Sequence, residues 1–337
     1  MAAISAPWPA VIGVSGGSDS LALMLLLRDW ARRRGLPAPV VACVDHGARP
    51  ESAGEARTVA GWARQAGLQA SVLTSPQRLS GSDIEAACRT LRYRLIGSWA
   101  VQRRLDNVYV AHTQDDQAET LLLRLARGSG LDGLAAMRAV APYPHPGFPG
   151  LSVVRPLLGF DRQTLRDYLQ ATGQPWLEDP MNADLRFARA RIRSAWPQLE
   201  SAGITRSRLA LAAAHLGRAR VALDTVSAAI LARACKVQGQ GAVLDPAAMT
   251  GAPRELGLRA LASVLMLVGR KTYRPRFERL EALFDAISAG QLGRGRTLHG
   301  CRIAPAPGKC AVFGRTTLTI QPEKTRQAVG KPRDSSQ

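Results

Sequence analysis

A short β-branched run that stops at a glycine turn and continues as an apolar helix most constrains the fold of this chain. Residues 11–14 (VIGV) are followed by SGGSDS at 15–20 and then by a helical pattern to about residue 33. The same order recurs three times, with strands expected at 40–44, 70–73 and 108–111 and helices beginning near 51, 83 and 115. Strands that alternate with helices indicate right-handed crossovers and a parallel sheet covered on both faces.

The chain is long enough for two domains. The α/β pattern, with a further strand at 151–154, predicts a doubly wound parallel sheet in a first domain at 1–200. An Ala/Leu/Arg-rich stretch from 205 to about 236 predicts one long helix, followed by helices near 254–268 and 274–289. We therefore expect a second, mainly helical domain at 201–320 that ends in a small β element, and a disordered polar tail at 321–337.

The charge balance favours a polyanionic partner. The 45 Lys and Arg residues against 26 Asp and Glu residues give a net charge of +19. Five cysteines without a C-x-x-C pair argue against a disulfide framework and against a paired-cysteine zinc site. The longest apolar run, at 21–27, is too short to cross a bilayer. These features predict a cytoplasmic protein that does not enter a membrane, and they leave monomer and homodimer open.

The glycine-rich loop at 15–20 follows a predicted strand and opens a predicted helix, where an open parallel sheet binds its ligands. Glycines let the backbone approach a ligand, and the helix N-terminus attracts phosphate. The loop lacks the lysine of G-x-x-x-x-G-K-[ST] and the spacing of G-x-G-x-x-G. A tight turn alone would explain the two glycines but not the three serines and one aspartate around them. The loop therefore predicts a phosphate site.

Three acidic residues follow the fourth predicted strand within one helical turn: Asp115, Asp116 and Glu119. Acids at a helix N-terminus gain about 0.3–1 kcal/mol each from the helix dipole, which could account for any one of them. In a chain of such positive charge, a dense acidic cluster at the ligand-binding edge predicts a cation or magnesium site.

Two sets of motifs carry a resemblance to known families. The loop at 15–20 resembles the SGGxDS signature of the PP-loop ATP pyrophosphatases, which cleave ATP between the α and β phosphates and have a Rossmann-like fold. HTQDDQAET at 112–120 and RGSGLDGL at 127–134 resemble blocks of the tRNA(Ile)-lysidine synthetases. Those ligases join free lysine to the wobble cytidine of an isoleucine tRNA with a CAU anticodon. Further matches lie in the same order at 44–52, 85–93, 155–158 and 176–182, so the resemblance covers about residues 11–197.

The resemblance implies ATP and Mg²⁺ as cofactors and a reaction in two steps. The cytosine 2-keto oxygen attacks the α-phosphate and pyrophosphate leaves; the lysine amine then displaces AMP. Pyrophosphate would be held by Ser15, Gly16, Gly17, Ser18 and Ser20, and Asp19 would bind magnesium and act in catalysis. His46 is either a nucleotide contact or a loop histidine.

Attack on the activated base requires an uncharged amine, yet the lysine side chain has a pKa near 10.4 in water. A carboxylate must therefore hold the ammonium and help remove its proton. Asp116 and Glu119 are the candidates, and Asp115 is either a metal ligand, a substrate contact or a residue that orients the helix. Glu178 and Asp179 are next in line for lysine.

Several arginines are candidates for substrate contacts. Arg89 and Arg92 belong to a helix face that is either salt-bridged or turned toward substrate. Arg189 and Arg193 lie in a basic run near the domain boundary, which fits either an RNA-backbone contact or a solvated linker.

Three other functions compete with lysine ligation. A tRNA thiolase of the PP-loop type would be expected to carry paired cysteines, whereas the cysteines here are scattered. An amidotransferase-type ligase would carry a glutaminase domain with an N-terminal nucleophilic cysteine. A non-catalytic RNA-binding protein with a decayed nucleotide fold would not be expected to keep Asp19, Asp116 and Glu119.

Overall fold

The computed structural model of this chain describes residues 8–47, 50–75, 84–178, 184, 186–271, 273–307, 312–314 and 316–323. The chain divides into two compact units, 1–218 and 219–337, which are described separately. Within the described ranges, no helix combines the length and the apolar character needed to cross a membrane.

The first unit is built on a six-stranded sheet in the order β3-β2-β1-β4-β6-β5. All neighbouring strands are parallel except β5, which pairs antiparallel with β6 at one edge. The strands are β1 (Val11–Gly13), β2 (Val40–Asp45), β3 (Ala70–Thr74), β4 (Asn107–Tyr109), β5 (Val140–Pro142) and β6 (Ser152–Val154). The doubly wound parallel sheet is thus confirmed.

Eight helices accompany these strands in the described part of the first unit. They are α1 (Ser18–Arg33), α2 (Ser52–Gln65), α3 (Ile84–Gln102), α4 (Gln114–Leu125), α5 (Leu131–Leu134), α6 (Arg162–Ala171), α7 (Ala188–Ser194) and α8 (Trp196–Ser201). The short strand β5 was not predicted, because it lies beside a loop whose prolines indicate irregular structure.

Successive strand residues point to opposite faces of the sheet, and helices cover both faces. Ile12 and Val41 pack with the apolar residues of α1 and α6. Their neighbours Val11 and Ala42 pack with Ile96 and other residues of α3 on the other face. Burial on both faces explains why these strands read as continuous apolar runs rather than as alternating ones.

The strand order reverses between β1 and β4, which lie side by side in the centre of the sheet. The chain leaves β1 toward β2 on one side, whereas β4 is followed in the sheet by β6 on the other. A crevice forms at the carboxyl ends of strands where the order reverses, and ligands bind there. The fold therefore brings the loop after β1 and the loop after β4 to one edge.

A long helix, α9 (Arg206–Ala234), crosses the division between the two units. In the first unit, its residues Leu209 and Ala213 pack with Leu121 of α4. In the second unit, its residues Ile230 and Ala234 join the apolar core. The division at residue 218 therefore lies inside a helix, and the domain boundary at residue 200 stays a prediction.

The second unit combines helices with a five-stranded antiparallel sheet in the order β7-β8-β11-β10-β9. Its further helices are α10 (Pro246–Thr250), α11 (Arg254–Val268) and α12 (Phe277–Ser288). The strands are β7 (Cys235–Gln238), β8 (Gly241–Leu244), β9 (Arg296–Leu298), β10 (Cys301–Pro305) and β11 (Leu318–Pro322). A helical region and a terminal β element are thus confirmed.

The sheet of the second unit is larger than the sequence indicated. Strands β7 and β8 form a hairpin directly after α9, around a two-residue turn in which Gly239 has φ 58°. At the other end, β11 extends to Pro322, so residues 321 and 322 of the predicted tail are strand. The tail from residue 324 lies outside the described residues.

Candidate active site

The glycine loop joins β1 to α1, and its serine side chains bond within the loop. Ser20 Oγ accepts a hydrogen bond from the Ser15 amide at 3.2 Å and donates one to the Gly17 carbonyl at 2.9 Å. Ser18 Oγ donates to Asp19 Oδ1 at 3.3 Å. Gly17 is the N-cap of α1 and no side chain caps this end of the helix, so the helix begins with backbone donors directed at the loop.

Gly16 holds the loop against the rest of the unit. It has φ 94°, a conformation that favours glycine, and its carbonyl accepts a hydrogen bond from the Leu177 amide at 2.9 Å. A Cβ at this position would lie 2.8 Å from Val59 Cγ2 and 3.0 Å from Leu177 Cδ1. The glycine is therefore required both by the backbone conformation and by close packing.

The second motif begins α4 with a capping box. Thr113 Oγ1 accepts from the Asp116 amide at 3.4 Å, and Asp116 Oδ2 accepts from the Thr113 amide at 2.9 Å. The cap fixes the Asp116 carboxylate at the first turn of the helix. Its other oxygen, Oδ1, is directed at arginine side chains from elsewhere in the unit.

Arg162 links the two motifs. From the start of α6, its Nε donates to Asp19 Oδ2 at 3.0 Å and its Nη2 lies 3.7 Å from Asp116 Oδ1. Its backbone amide donates to Asp115 Oδ2 at 2.9 Å. One residue therefore contacts the acid of the glycine loop and two acids of α4.

Helix α7 supplies two more arginines, one turn apart. Arg193 Nε donates to Glu119 Oε1 at 2.7 Å, and its Nη2 donates to Oε2 at 3.2 Å. Arg189 Nη1 lies 3.2 Å from Asp116 Oδ1 and 3.9 Å from Glu119 Oε2. Glu119 is 1% exposed, so the two-point contact with Arg193 offsets the cost of burying this carboxylate.

Asp115 makes a separate set of contacts. Its Oδ1 lies 3.2 Å from Arg206 Nε at the start of α9, while Oδ2 receives the Arg162 amide. The Arg206 guanidinium also stacks on the Trp196 ring and pairs with Glu200. Both Asp115 oxygens are thus engaged by the protein, which agrees with a residue that orients the helix.

The pKa values of the two acids that face the Arg162 guanidinium, Asp19 and Asp116, are shifted in opposite directions. Burial raises the pKa of Asp19 above its usual range, although Arg162 opposes this shift. Burial would also raise the pKa of Asp116, but the charges of Arg162 and Arg189 and the Thr113 amide bond hold it below its usual range. Asp116 is therefore held as a carboxylate, whereas an additional positive charge would stabilise the ionised form of Asp19.

His112 lies beside these acids as a neutral ring. Burial lowers its pKa to about 4, and the charges of Arg155 and Arg89 contribute in the same direction. Arg155 Nε donates to His112 Nδ1 at 3.3 Å, so the ring accepts at that nitrogen. Arg89 also lies over the ring of Tyr93, with its guanidinium carbon 5.1 Å from the centroid.

The structure brings together most of the residues predicted for the site, but not all of them. Arg92 contacts His46 just after β2, with Nε donating to the His46 ring at 3.3 Å; Arg92 is exposed and His46 is half-buried. Glu178 accepts from Arg166 and from the Trp176 indole at an exposed position. Asp179 lies outside the described residues.

Sequence reasoning missed Arg155, Arg162 and Arg206. Arg162 lies 143 positions from the Asp19 that it contacts, and only the preceding Asp161, the N-cap of α6, distinguishes its surroundings. In the described part of the chain, no group of three or more His, Cys, Asp or Glu side chains is arranged to hold a metal. The nearest positive charges to the acidic cluster are instead arginines.

Comparisons with known proteins agree with this geometry. The sequence profile of a family described as "PP-loop domain" matches residues 7–199. The tRNA(Ile)-lysidine synthase of Ruegeria pomeroyi is 41% identical over 292 residues, which cover 87% of this chain and 68% of that protein. The enzyme of the same name from a Bradyrhizobium species is 36% identical over 332 residues, 95% of this chain and 91% of that protein.

The chain belongs to the tRNA(Ile)-lysidine synthase family. The resemblance inferred from the motifs is thereby confirmed, and so is the PP-loop fold. Among solved structures, the U34-tRNA thiolase NcsA of Methanococcus maripaludis, with its 4Fe–4S cluster, superposes with a TM-score of 0.51. At 15% identity, covering 62% of this chain and 71% of that one, it shares the fold of this lysidine synthase family member.

Replacing Gly16 with alanine is expected to destabilise the protein by about 1–3 kcal/mol, because the new Cβ adds backbone strain and close contacts. The control is Gly61→Ala, since Gly61 lies in α2 with open space around its Cβ position. That control is expected to stabilise by about 0.5–1 kcal/mol. Urea unfolding of both variants measures the difference, and equal stabilities would contradict the packing argument.

Proposed function

We propose that this protein joins free L-lysine to the wobble cytidine of an isoleucine tRNA with a CAU anticodon in the cytoplasm. The reaction passes through an adenylated tRNA and releases AMP and pyrophosphate. The observation that carries the proposal is the contact of Asp19 and Asp116 with a single Arg162, which joins the phosphate loop and the acidic cluster at one edge of the sheet.

The glycine loop is proposed to bind ATP. Its backbone donors and the hydroxyls of Ser15, Ser18 and Ser20 are proposed to hold the oxygens of pyrophosphate, and Arg162, which donates to Asp19 beside this loop, is proposed to stabilise charge that develops on the leaving group. His46 is proposed as a nucleotide contact.

The donor atoms of this loop are of the type that binds magnesium. Asp19 offers a carboxylate whose pKa is raised by burial, and hard oxygen donors of this kind, completed by substrate phosphates, are those that Mg²⁺ prefers. Held by Asp19, the ion would neutralise charge on departing pyrophosphate. Because the described residues include no group of three or more His, Cys, Asp or Glu side chains that could hold a metal, most other ligands would come from phosphate and water.

Lysine is proposed to bind at Asp116 and Glu119. Asp116 Oδ1 and Glu119 Oε2 both face Arg189, at 3.2 and 3.9 Å, whereas Glu119 Oε1 is held more closely by Arg193. We therefore expect the lysine ammonium to replace the Arg189 guanidinium at these carboxylate oxygens more readily than it replaces Arg193. Asp116, held as a carboxylate, is suited to hold the ammonium, and we propose that it also receives the proton that the amine must lose.

The tRNA is proposed to meet both units. The wobble base must leave the anticodon stack to reach the loop after β1, as in most recognition of single-stranded RNA. Arg89, Arg92, Arg189 and Arg193 are proposed as contacts near the site. Residues 201–320 are proposed to supply binding surface for the remainder of the tRNA.

The cysteines oppose the alternative of sulfur transfer. Burial raises the pKa of Cys43 to about 12 and that of Cys301 to about 11, so neither is a thiolate at neutral pH. Cys88 and Cys235 lie on different elements, α3 and β7, and Cys310 is outside the described residues. Lysine ligation needs no cysteine and is the better supported function.

Incubation with labelled lysine, ATP, Mg²⁺ and a CAU-anticodon isoleucine tRNA tests the proposal. The full chain is expected to incorporate label into the RNA and to release one AMP for each lysine joined. A tRNA with a different wobble base should stay unlabelled. Asp19→Ala should lose the reaction while it keeps the wild-type far-UV spectrum. RNA that stays unlabelled under conditions where ATP is cleaved would refute lysine as the second substrate.

Neutralising the proposed lysine site is expected to separate the two steps. Glu119→Gln and Asp116→Asn should raise the lysine KM about ten- to hundred-fold, because each removes a charge-assisted hydrogen bond. Adenylated tRNA should accumulate in these variants. Asp115→Asn is the matched control, since Asp115 pairs with Arg206, and its lysine KM should stay near that of the wild type. Lost adenylation with an unchanged lysine KM would assign the cluster to ATP or metal.

A further inference from the structure

A cavity of about 480 Å³ opens in the second unit beside α12 and the β9–β10 hairpin. Its volume is within the range of small-ligand sites. Three apolar residues of α12 and β9 line it together with five polar residues: Arg279, Arg296, Thr297, His299 and Glu323. None of these residues takes part in the site at the centre of the first sheet.

Among the described residues, the two arginines of the cavity lack the acidic partners that Arg254 and Arg259 of the second unit have. Arg254 pairs with Asp285 and Glu281, and Arg259 pairs with Asp224 and Glu255. Within the part of the chain that the structure describes, neither Arg279 nor Arg296 forms an ion pair, although Arg296 donates a long hydrogen bond to the Gln291 carbonyl. Two arginines without acidic partners at one cavity are available for an anionic ligand.

An exposed aromatic residue, Tyr273, contacts His299, which lines the cavity. Tyr273 is 62% exposed, and its ring meets the His299 ring edge-on with centroids 5.0 Å apart. His299 Nε2 donates to the Tyr273 carbonyl at 2.7 Å, which holds the tyrosine beside the cavity wall. Lys271 adds a further positive charge. Its side chain lies next to Gly300, which is in the turn that follows β9. Arginines beside an exposed ring are suited to a phosphate and an unstacked base.

We propose that this cavity is an RNA-binding subsite, in which Arg279 and Arg296 hold one backbone phosphate and Tyr273 stacks on an adjacent unpaired base. Glu323 then accepts a hydrogen bond from a ribose hydroxyl or a base amino group, groups that inorganic phosphate lacks. The inference rests on the proposed function only for the identity of the RNA, a tRNA.

Charge removal at the cavity tests the phosphate contact in the full chain. Arg279→Gln/Arg296→Gln is compared with Arg218→Gln/Arg233→Gln, which removes the same charge from exposed positions of α9 that do not line the cavity. The Kd for tRNA is measured by fluorescence anisotropy between 50 and 200 mM salt. The cavity variant should bind about tenfold more weakly at low salt, and its salt dependence should be less steep by roughly 0.7–0.9 in the logarithmic slope. The control should bind as the wild type does.

Substitution of the tyrosine tests stacking. Tyr273→Ala should weaken tRNA binding about fivefold or more, and Tyr273→Phe should restore the wild-type Kd. Wild-type affinity in both the alanine variant and the double arginine variant would overturn the inference. If inorganic phosphate raised the Tm of the wild type but not of the arginine variant, while the tRNA Kd stayed equal, the cavity would be a small-anion site instead.

Failure of the inference is distinguishable from failure of the proposed function. If the variants bound tRNA as the wild type does while the wild type transferred lysine, only the subsite would be refuted. If the wild type bound tRNA through the cavity but transferred no lysine, the subsite would stand without lysine ligation. At saturating tRNA, the cavity variants should keep the wild-type rate of lysine transfer, because their residues lie outside the proposed catalytic machinery.

Discussion

The ion pair between Arg162 and Asp19 is the contact on which the site depends. It joins the loop after β1 to α6, and through Asp116 it reaches the first turn of α4. Asp19 and Asp116, whose negative charges would repel one another, are thereby held close together where the strand order reverses. Without this guanidinium, burial would favour protonation of Asp19 still more strongly.

The remaining charges extend this arrangement outward. Asp115, Asp116 and Glu119 each face at least one arginine from α6, α7 or α9, so a cluster that looks strongly acidic in the sequence is close to neutral in the folded chain. Such pairing offsets the cost of burying these carboxylates. It also gives a physical reason for a substrate cation to exchange with an arginine rather than to enter an empty acidic pocket.

The sequence predicted the fold and both motifs because local patterns determine them. Strand, glycine turn and helix are consecutive at residues 11–33, and the acids follow the fourth strand directly. Arg162 and Arg206 could not be predicted, since they reach the acids from distant elements and nothing near them signals the contact. The hairpin of β7 and β8 was likewise not predicted, because it begins where the predicted helix ends and its strands are short; the turn at Gly239 is a local signal for it.

A double-mutant cycle between Asp19 and Arg162 tests the central claim most directly. The free energies of unfolding of Asp19→Asn, Arg162→Gln and the double variant are compared with that of the wild type in urea. Because the two side chains are in contact and mostly buried, a coupling energy of about 0.5–3 kcal/mol is expected. Effects that add within about 0.5 kcal/mol would contradict the claim that this pair holds the two motifs together as one site.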